Sequence, residues 1–148
     1  MFTFSRSSKE RLKYVDPKLS QLAHRALSIS RVDFGVTEGL RSEERQKKLV
    51  QDGLSQTMNS KHIEAKAIDI VPSVNGTISW DIGLFFPVAD AFIIASRELN
   101  TPIRWGGAWH CTATTSFVSA ADLHLEYMIL RLGARQTPFI DAPHFELV

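Results

Sequence analysis

Cysteine is nearly absent from this sequence: Cys111 is the single one in 148 residues. No disulfide can form within the chain and no thiolate cluster can hold a metal, so any metal ligands must offer nitrogen or oxygen. An excess of one charge is lacking as well. The 17 basic and 16 acidic residues are scattered to a net charge of +1, without the basic stripe that a phosphate backbone selects, so nucleic acid is not an expected partner. Long hydrophobic runs are missing too. The most apolar stretch, Ile82 to Ser96, is interrupted by Pro87 and Asp90, and Met1 to Arg6 has no signal-peptide core. The chain is therefore expected to be made in a cytosol and to insert into no membrane by itself. Internal repeats, low-complexity blocks and an interdomain linker are also lacking. The 148 residues are expected to form one domain with a single core.

What is present divides into short elements. Asp16 followed by Pro17 is a helix cap and first helical position, and Leu19, Leu22, Ala23, Ala26 and Leu27 continue at helical spacing to about Ser30. Phe34 and Val36 alternate in a short strand before Gly39. Ser42 can cap a helix that Glu43 and Glu44 favour at its positive end and that Gly53 closes. Leu54 to Ser60 is polar and aperiodic, a loop leading to His62. Ala67 to Val71 is a buried strand with one carboxylate, stopped by Pro72, and Asn75-Gly76 is a turn. Trp80 to Leu99 has a helical pattern that Pro87 should kink or split, and Pro102 to Trp105 is a strand closed by Gly106-Gly107. Trp109 to Ser119 is a loop, Ala120 to Leu132 a helix ending at Gly133, and Phe139 to Val148 strand-like. Strands and helices without regular alternation predict an α+β fold, with a central antiparallel sheet flanked by helices.

Five histidines are available: His24, His62, His110, His124 and His144. His24 lies beside an apolar helical stripe and needs no function. His62, Asp69 and His144 form the set that matters. Two imidazoles and a carboxylate fill three corners of a tetrahedral Zn²⁺ site and leave the fourth for water, whose pKa then falls towards about 7. Seven extended residues would span roughly 23 Å, so the chain must turn between His62 and Asp69, at Glu64-Ala65-Lys66. Ala65 disfavours a left-handed conformation there. Asp141, three residues before His144, can serve as general base and return the proton to a leaving amine, although Glu146 is also near. Arg41 is a candidate partner for an anion or a developing oxyanion.

Four ordered motifs carry a resemblance. Gly39-Leu40-Arg41-Ser42 with Gln46, the segment Ser60-x-His62-x-x-Ala65-x-Ala67-x-Asp69, Trp105-Gly106-Gly107-x-Trp109, and Asp141-x-x-His144-Phe145-Glu146 resemble the zinc D,D-carboxypeptidase and L-alanyl-D-glutamate endopeptidase family. The short form looks most like phage endolysins. The resemblance implies a small α+β domain whose sheet carries the zinc. It implies His62, Asp69 and His144 as ligands, Asp141 as base and Arg41 as electrostatic stabiliser. Glu146, Ser60, Gln46, Trp105 and Trp109 are candidates for supporting the ligands or lining a substrate groove. It further implies a monomeric metallopeptidase acting on peptidoglycan stem peptides during host lysis, from the host cytoplasm, once a separate protein has opened the membrane. Two departures stand out: Ala65 replaces the usual glycine, and the stretch from Trp109 to Asp141 is longer than in short lysins, so that residues 110–138 could border the groove.

Rival readings are a D-alanyl-D-alanine carboxypeptidase, a zinc-containing wall-binding module without turnover, and a cysteine hydrolase pairing Cys111 with His124 or His144. Cys111 lacks a helix-start setting that would depress its pKa. The presence of both Asp141 and Arg41 speaks against a site without turnover.

Overall fold

A computed structural model describes residues 1–148. The chain runs through α1 (Arg6–Leu12), α2 (Pro17–Ile29), β1 (Asp33–Glu38), α3 (Glu43–Gln51), β2 (Ala67–Val74), β3 (Thr77–Ile78), α4 (Ile82–Glu98), β4 (Ile103–Trp105), α5 (Ala120–Gly133) and β5 (His144–Leu147). The α+β expectation holds: the strands form an antiparallel sheet in the order β1-β2-β5-β4, with β3 paired to β2. Caps fall where side-chain chemistry puts them. Asp16 Oδ1 accepts from the Lys18 amide, and Ser42 Oγ accepts from the Arg45 amide with two glutamates in the first turn of α3.

The two faces of the sheet differ in kind. Phe34, Val36, Ile68, Ile70, Trp105 and Phe145 belong to the buried core, where α4 covers them: Phe92 stacks on Phe145 at 4.0 Å between ring centres. Helix α2 packs behind α4 through its buried leucine and alanine stripe. The opposite face carries Asp69, His144 and Glu146.

Strand register sets that polar row. Asp69 lies opposite His144 on one side and Glu38 on the other. Val36 points into the core, and Glu38, two residues on, would follow it in a regular strand. The register slips between them, so that two steps along β1 match one along β2, and this bulge turns Glu38 to the polar face. Helix α1 stabilises the bulged edge: Ser8 Oγ accepts from the Val36 amide at 2.9 Å and Arg11 donates to the Val36 carbonyl at 3.0 Å. This helix has no counterpart in the sequence reading.

Other expectations need correction. Pro72 does not stop β2, which continues to Val74: β1 still pairs at Pro72, while β5 pairs only with Ala67 to Asp69, so no β5 carbonyl is left waiting for the N–H that Pro72 lacks. Helix α4 runs unsplit through Pro87, since burial of Phe85, Val88, Ala89 and Phe92 outweighs one lost backbone bond. Only His144 to Leu147 is strand within the Phe139 to Val148 stretch, and the Trp109 to Ser119 loop contains one short helical turn at Ala113–Thr115.

The turn between His62 and Asp69 also differs. Ala65 adopts φ 59°, the left-handed region that its methyl group disfavours. Surrounding bonds hold it there: the Ala65 amide donates to the His62 carbonyl at 3.3 Å, and its own carbonyl accepts from the Asp16 amide at 2.8 Å. Ala65→Gly should therefore stabilise the fold by about 0.5–1 kcal/mol, the relieved strain being partly offset by the greater freedom of glycine in the unfolded chain. Thermal unfolding should show Tm rising by about 2–4 °C. A fall in Tm would mean that Ala65 carries no strain.

Candidate active site

Three elements converge on one point. His62 sits in the turn before β2, Asp69 on β2 and His144 at the start of β5, and one donor atom from each falls within 4.8 Å of the others. Both histidines are buried. The fixed hydrogen-bond partners of their rings decide which nitrogen is free. His62 Nδ1 lies 2.8 Å from the Gly39 carbonyl, which only accepts, so Nδ1 carries the proton and Nε2 presents a lone pair. His144 Nε2 lies 2.9 Å from Glu146 Oε1, which leaves Nδ1 facing Asp69.

Asp69 Oδ1 is 3.3 Å from His62 Nε2 and 3.4 Å from His144 Nδ1. His62 Nε2 and Asp69 Oδ1 are nonetheless buried without a hydrogen-bond partner. These atoms aim at a shared point rather than at each other. Two ligands about 2.05 Å from a tetrahedral ion lie about 3.3 Å apart, so the spacing fits a small divalent cation. The donor set of two nitrogens and one oxygen suits zinc chemistry as well.

Electrostatics favour positive charge at this set. Burial alone would raise the Asp69 carboxyl, but His144 and His62 hold it well below the usual carboxylate range. Burial would lower His144, and Asp69 and Glu146 instead raise it to about 9. The carboxylates that retain a proton on this ring would equally strengthen its hold on a cation.

Arg41 lies against the other oxygen of Asp69, with Nη2 3.5 Å from Oδ2. Glu38 grips the guanidinium in a bidentate pair of 2.7 Å bonds, and Gln46 Oε1 accepts from Nη1 at 2.7 Å. Burial opposes the charge on Arg41, yet Glu38 outweighs it and keeps the group protonated. The sequence reading missed Glu38. Its signal was the Glu38-x-x-Arg41 spacing, masked because the bulge decides where Glu38 points.

Asp141 stands beside the trio, Oδ2 being 4.0 Å from His144 Nδ1. Burial first, then Asp69, pushes its carboxyl up, so it accepts a proton more readily than an exposed aspartate. Its backbone is clamped. Gly106 accepts from the Asp141 amide at 2.9 Å and donates to the His144 carbonyl at 2.8 Å, and a Cβ at Gly106 would stand 2.1 Å from the Asp141 carbonyl oxygen. Only glycine allows that approach.

An open cavity of ≈ 560 Å³ exposes Arg41, His62, Asp69, Asp141, His144 and Glu146 together. Ser60 and Trp109 line it too, Ser60 Oγ accepting from the His62 amide at 3.2 Å. Trp105 does not: it is fully buried in the core, where its Nε1 donates to the Ala142 carbonyl and supports the Asp141–His144 turn from beneath. Gln46 is buried behind Arg41. Residues 110–138 do not line the cavity either; Tyr127 of α5 only pins Phe139, which does, through paired bonds to its backbone. The facing wall is instead the stretch from Leu54 to Lys61. Cys111 is raised by burial and then by Glu126, the reverse of a nucleophile, and His124 is tied to the Gly107 carbonyl.

Protein purified without chelators should contain about one divalent ion per chain by elemental analysis, and His62→Ala should contain none. Glu146→Gln keeps all three candidate ligands but weakens the acceptor for His144 Nε2–H. Competition with a chromogenic chelator should show metal affinity reduced about 10–100-fold. Unchanged affinity would show that Glu146 does not orient the ring.

Comparisons with known proteins place the chain among peptidases. The family model for phage L-alanyl-D-glutamate peptidases matches residues 1–124, a stretch that contains Arg41, His62 and Asp69 and stops before Asp141 and His144. The L-alanyl-D-glutamate peptidase of Escherichia phage T5 is 36% identical over 115 residues, covering 75% of this chain and 84% of that protein. That of Listeria phage A118 is 30% identical over 97 residues, 65% of this chain and 31% of the longer protein. Among solved structures, the Serratia marcescens L-Ala D-Glu endopeptidase ChiX superposes with a TM-score of 0.74 at 31% identity, over 99% of this chain and 90% of that one. The chain belongs to the phage L-alanyl-D-glutamate peptidase family.

Proposed function

We propose that this member of the family is a zinc-dependent endolysin that hydrolyses the bond between L-alanine and D-glutamate in peptidoglycan stem peptides. The observation that carries it is the convergence of His62 Nε2, Asp69 Oδ1 and His144 Nδ1 in an open cavity beside Asp141. That the chain is a phage endopeptidase acting on peptidoglycan follows from its family; the scissile bond, the metal and the residue roles are the proposal. The three ligands would hold Zn²⁺, which when bound supplies Lewis-acid polarisation and a water acidic enough to attack near neutral pH.

The chain's own residues supply the rest. Asp141 accepts the proton of the attacking water and delivers it to the leaving amine of the glutamyl residue, a role suited to a carboxyl whose pKa is raised. Arg41 sets its charge beside the second oxygen of Asp69, and its Nη1 retains one N–H without a protein partner for the developing oxyanion. Glu146 orients His144, while Trp109 lies 5.2 Å from the His144 ring and shields it from water. No helix is long and apolar enough to cross a membrane, and we place the action of the enzyme on the wall after a separate protein has breached the membrane. A monomer suffices, since every residue of the cavity comes from one chain.

Digestion of purified sacculi by the zinc-loaded protein, with new termini identified by mass spectrometry, should reveal free D-glutamyl amines. Release of D-alanine alone would instead identify a carboxypeptidase, and unchanged muropeptides would remove the peptidase assignment. Asp141→Asn should lose about 10²–10⁴-fold in kcat with zinc content unchanged. Full activity in that variant would transfer the proton-accepting role to another carboxylate.

A further inference from the structure

We infer that Lys61 binds the free carboxylate of the glutamyl residue and makes the enzyme selective for the acid over its amide. This rests on the L-alanyl-D-glutamate reading above. The cavity is lined by four carboxylates, Glu38, Asp69, Asp141 and Glu146, and by two cations, Arg41 and Lys61. Arg41 is already committed: Glu38 takes two of its donors, Gln46 a third, and Asp69 lies against a fourth. Lys61 forms no ion pair in the protein and its ammonium group has no hydrogen-bond partner there. It is half-buried on the cavity wall, and its backbone is fixed by the Lys66 amide, which donates to the Lys61 carbonyl at 2.9 Å. Its uncommitted charge therefore remains available at the cavity wall, on the residue that precedes His62 in the chain.

The substrate supplies the matching charge. A glutamyl residue has two carboxyl groups. Its amine is acylated by alanine, and one carboxyl carries the peptide onward. The other remains free, and at neutral pH it is an anion. An anion entering beside four carboxylates is favoured where a side-chain cation receives it, and Lys61 is the one that no carboxylate of the protein has claimed. Conversion of that carboxylate to a carboxamide removes the charge and leaves the scissile bond untouched, so the discrimination falls on binding rather than on bond cleavage.

The test uses the zinc-loaded full chain and two synthetic stem peptides, identical except that the free glutamyl group is a carboxylate in one and a carboxamide in the other. The wild type should cleave the acid about tenfold more efficiently in kcat/KM, with the difference in KM, as expected for one charge-assisted hydrogen bond. Lys61→Met should erase that ratio by losing only the acid's advantage, and Lys61→Arg should preserve it. Equal cleavage of both peptides by the wild type, or an unchanged ratio in Lys61→Met, would overturn the role of Lys61 while leaving the peptidase reading intact. Cleavage of neither peptide would overturn the peptidase reading itself, and the inference with it.

Discussion

Removing the Asp69 carboxylate from water, in the middle of a sheet, imposes the constraint around which the site is organised. Its two oxygens have separate tasks: Oδ1 faces His62 and His144, while Oδ2 faces Arg41. A buried charge without such partners would be neutralised by protonation. The cross-strand register supplies them by placing Glu38 and His144 opposite Asp69, so that neighbouring strands deliver the imidazole and the carboxylate that anchors the arginine. If that row shifted by one residue, the charged groups would turn towards the core and Phe34, Val36, Ile68 and Phe145 towards water. Hydrophobic burial on one face thereby fixes the geometry on the other.

The same sheet explains the different fates of two tryptophans from one motif. Trp105 lies on β4 opposite Phe145, on the buried face, and reaches the site only through the turn that it supports from below. Trp109 follows the Gly106-Gly107 break and stands beside His144 at the cavity. Between them, Gly106 brings its backbone against Asp141 so closely that no side chain fits. A carboxylate held by backbone bonds on both sides has little freedom to drift from His144 and Asp69, as the proposed proton acceptor requires.

Much of this was legible wherever the signal is local. Asp16 and Ser42 cap the helices expected of them, and His62, Asp69 and His144 converge because a turn and a strand pair join them. What remained hidden depends on partners distant in sequence. Helix α1 buries only Ser8 and Leu12, too little for a periodic pattern; it is stabilised by satisfying the backbone of Val36, 25 and 28 residues away from Arg11 and Ser8. Glu38 reaches the site through a bulge that no residue type announces. Ala65 occupies a left-handed turn against its own preference because Asp16 and His62 bond to it. The cavity wall from Leu54 to Lys61 has no periodicity, so its position could come only from the folded chain.

That wall is nevertheless not independent of the chemistry. Gln46 is fully buried, and its amide group spans two regions: Oε1 accepts from Arg41, while Nε2 donates to Ser55 Oγ at 2.8 Å and to the Thr57 carbonyl at 2.6 Å. Those bonds satisfy both ends of one amide, so the group has a single favourable orientation, with its oxygen on the arginine and its nitrogen on the loop. Arg41 is in turn tied to Glu38 and Asp69. A continuous path of polar contacts thus runs from Asp69, through Arg41 and Gln46, to the aperiodic segment that walls the cavity. An aperiodic loop that would otherwise sample many conformations is held in register with the ligands by one buried glutamine. The side chains of that wall are therefore held at a defined position relative to His62, Asp69 and Asp141.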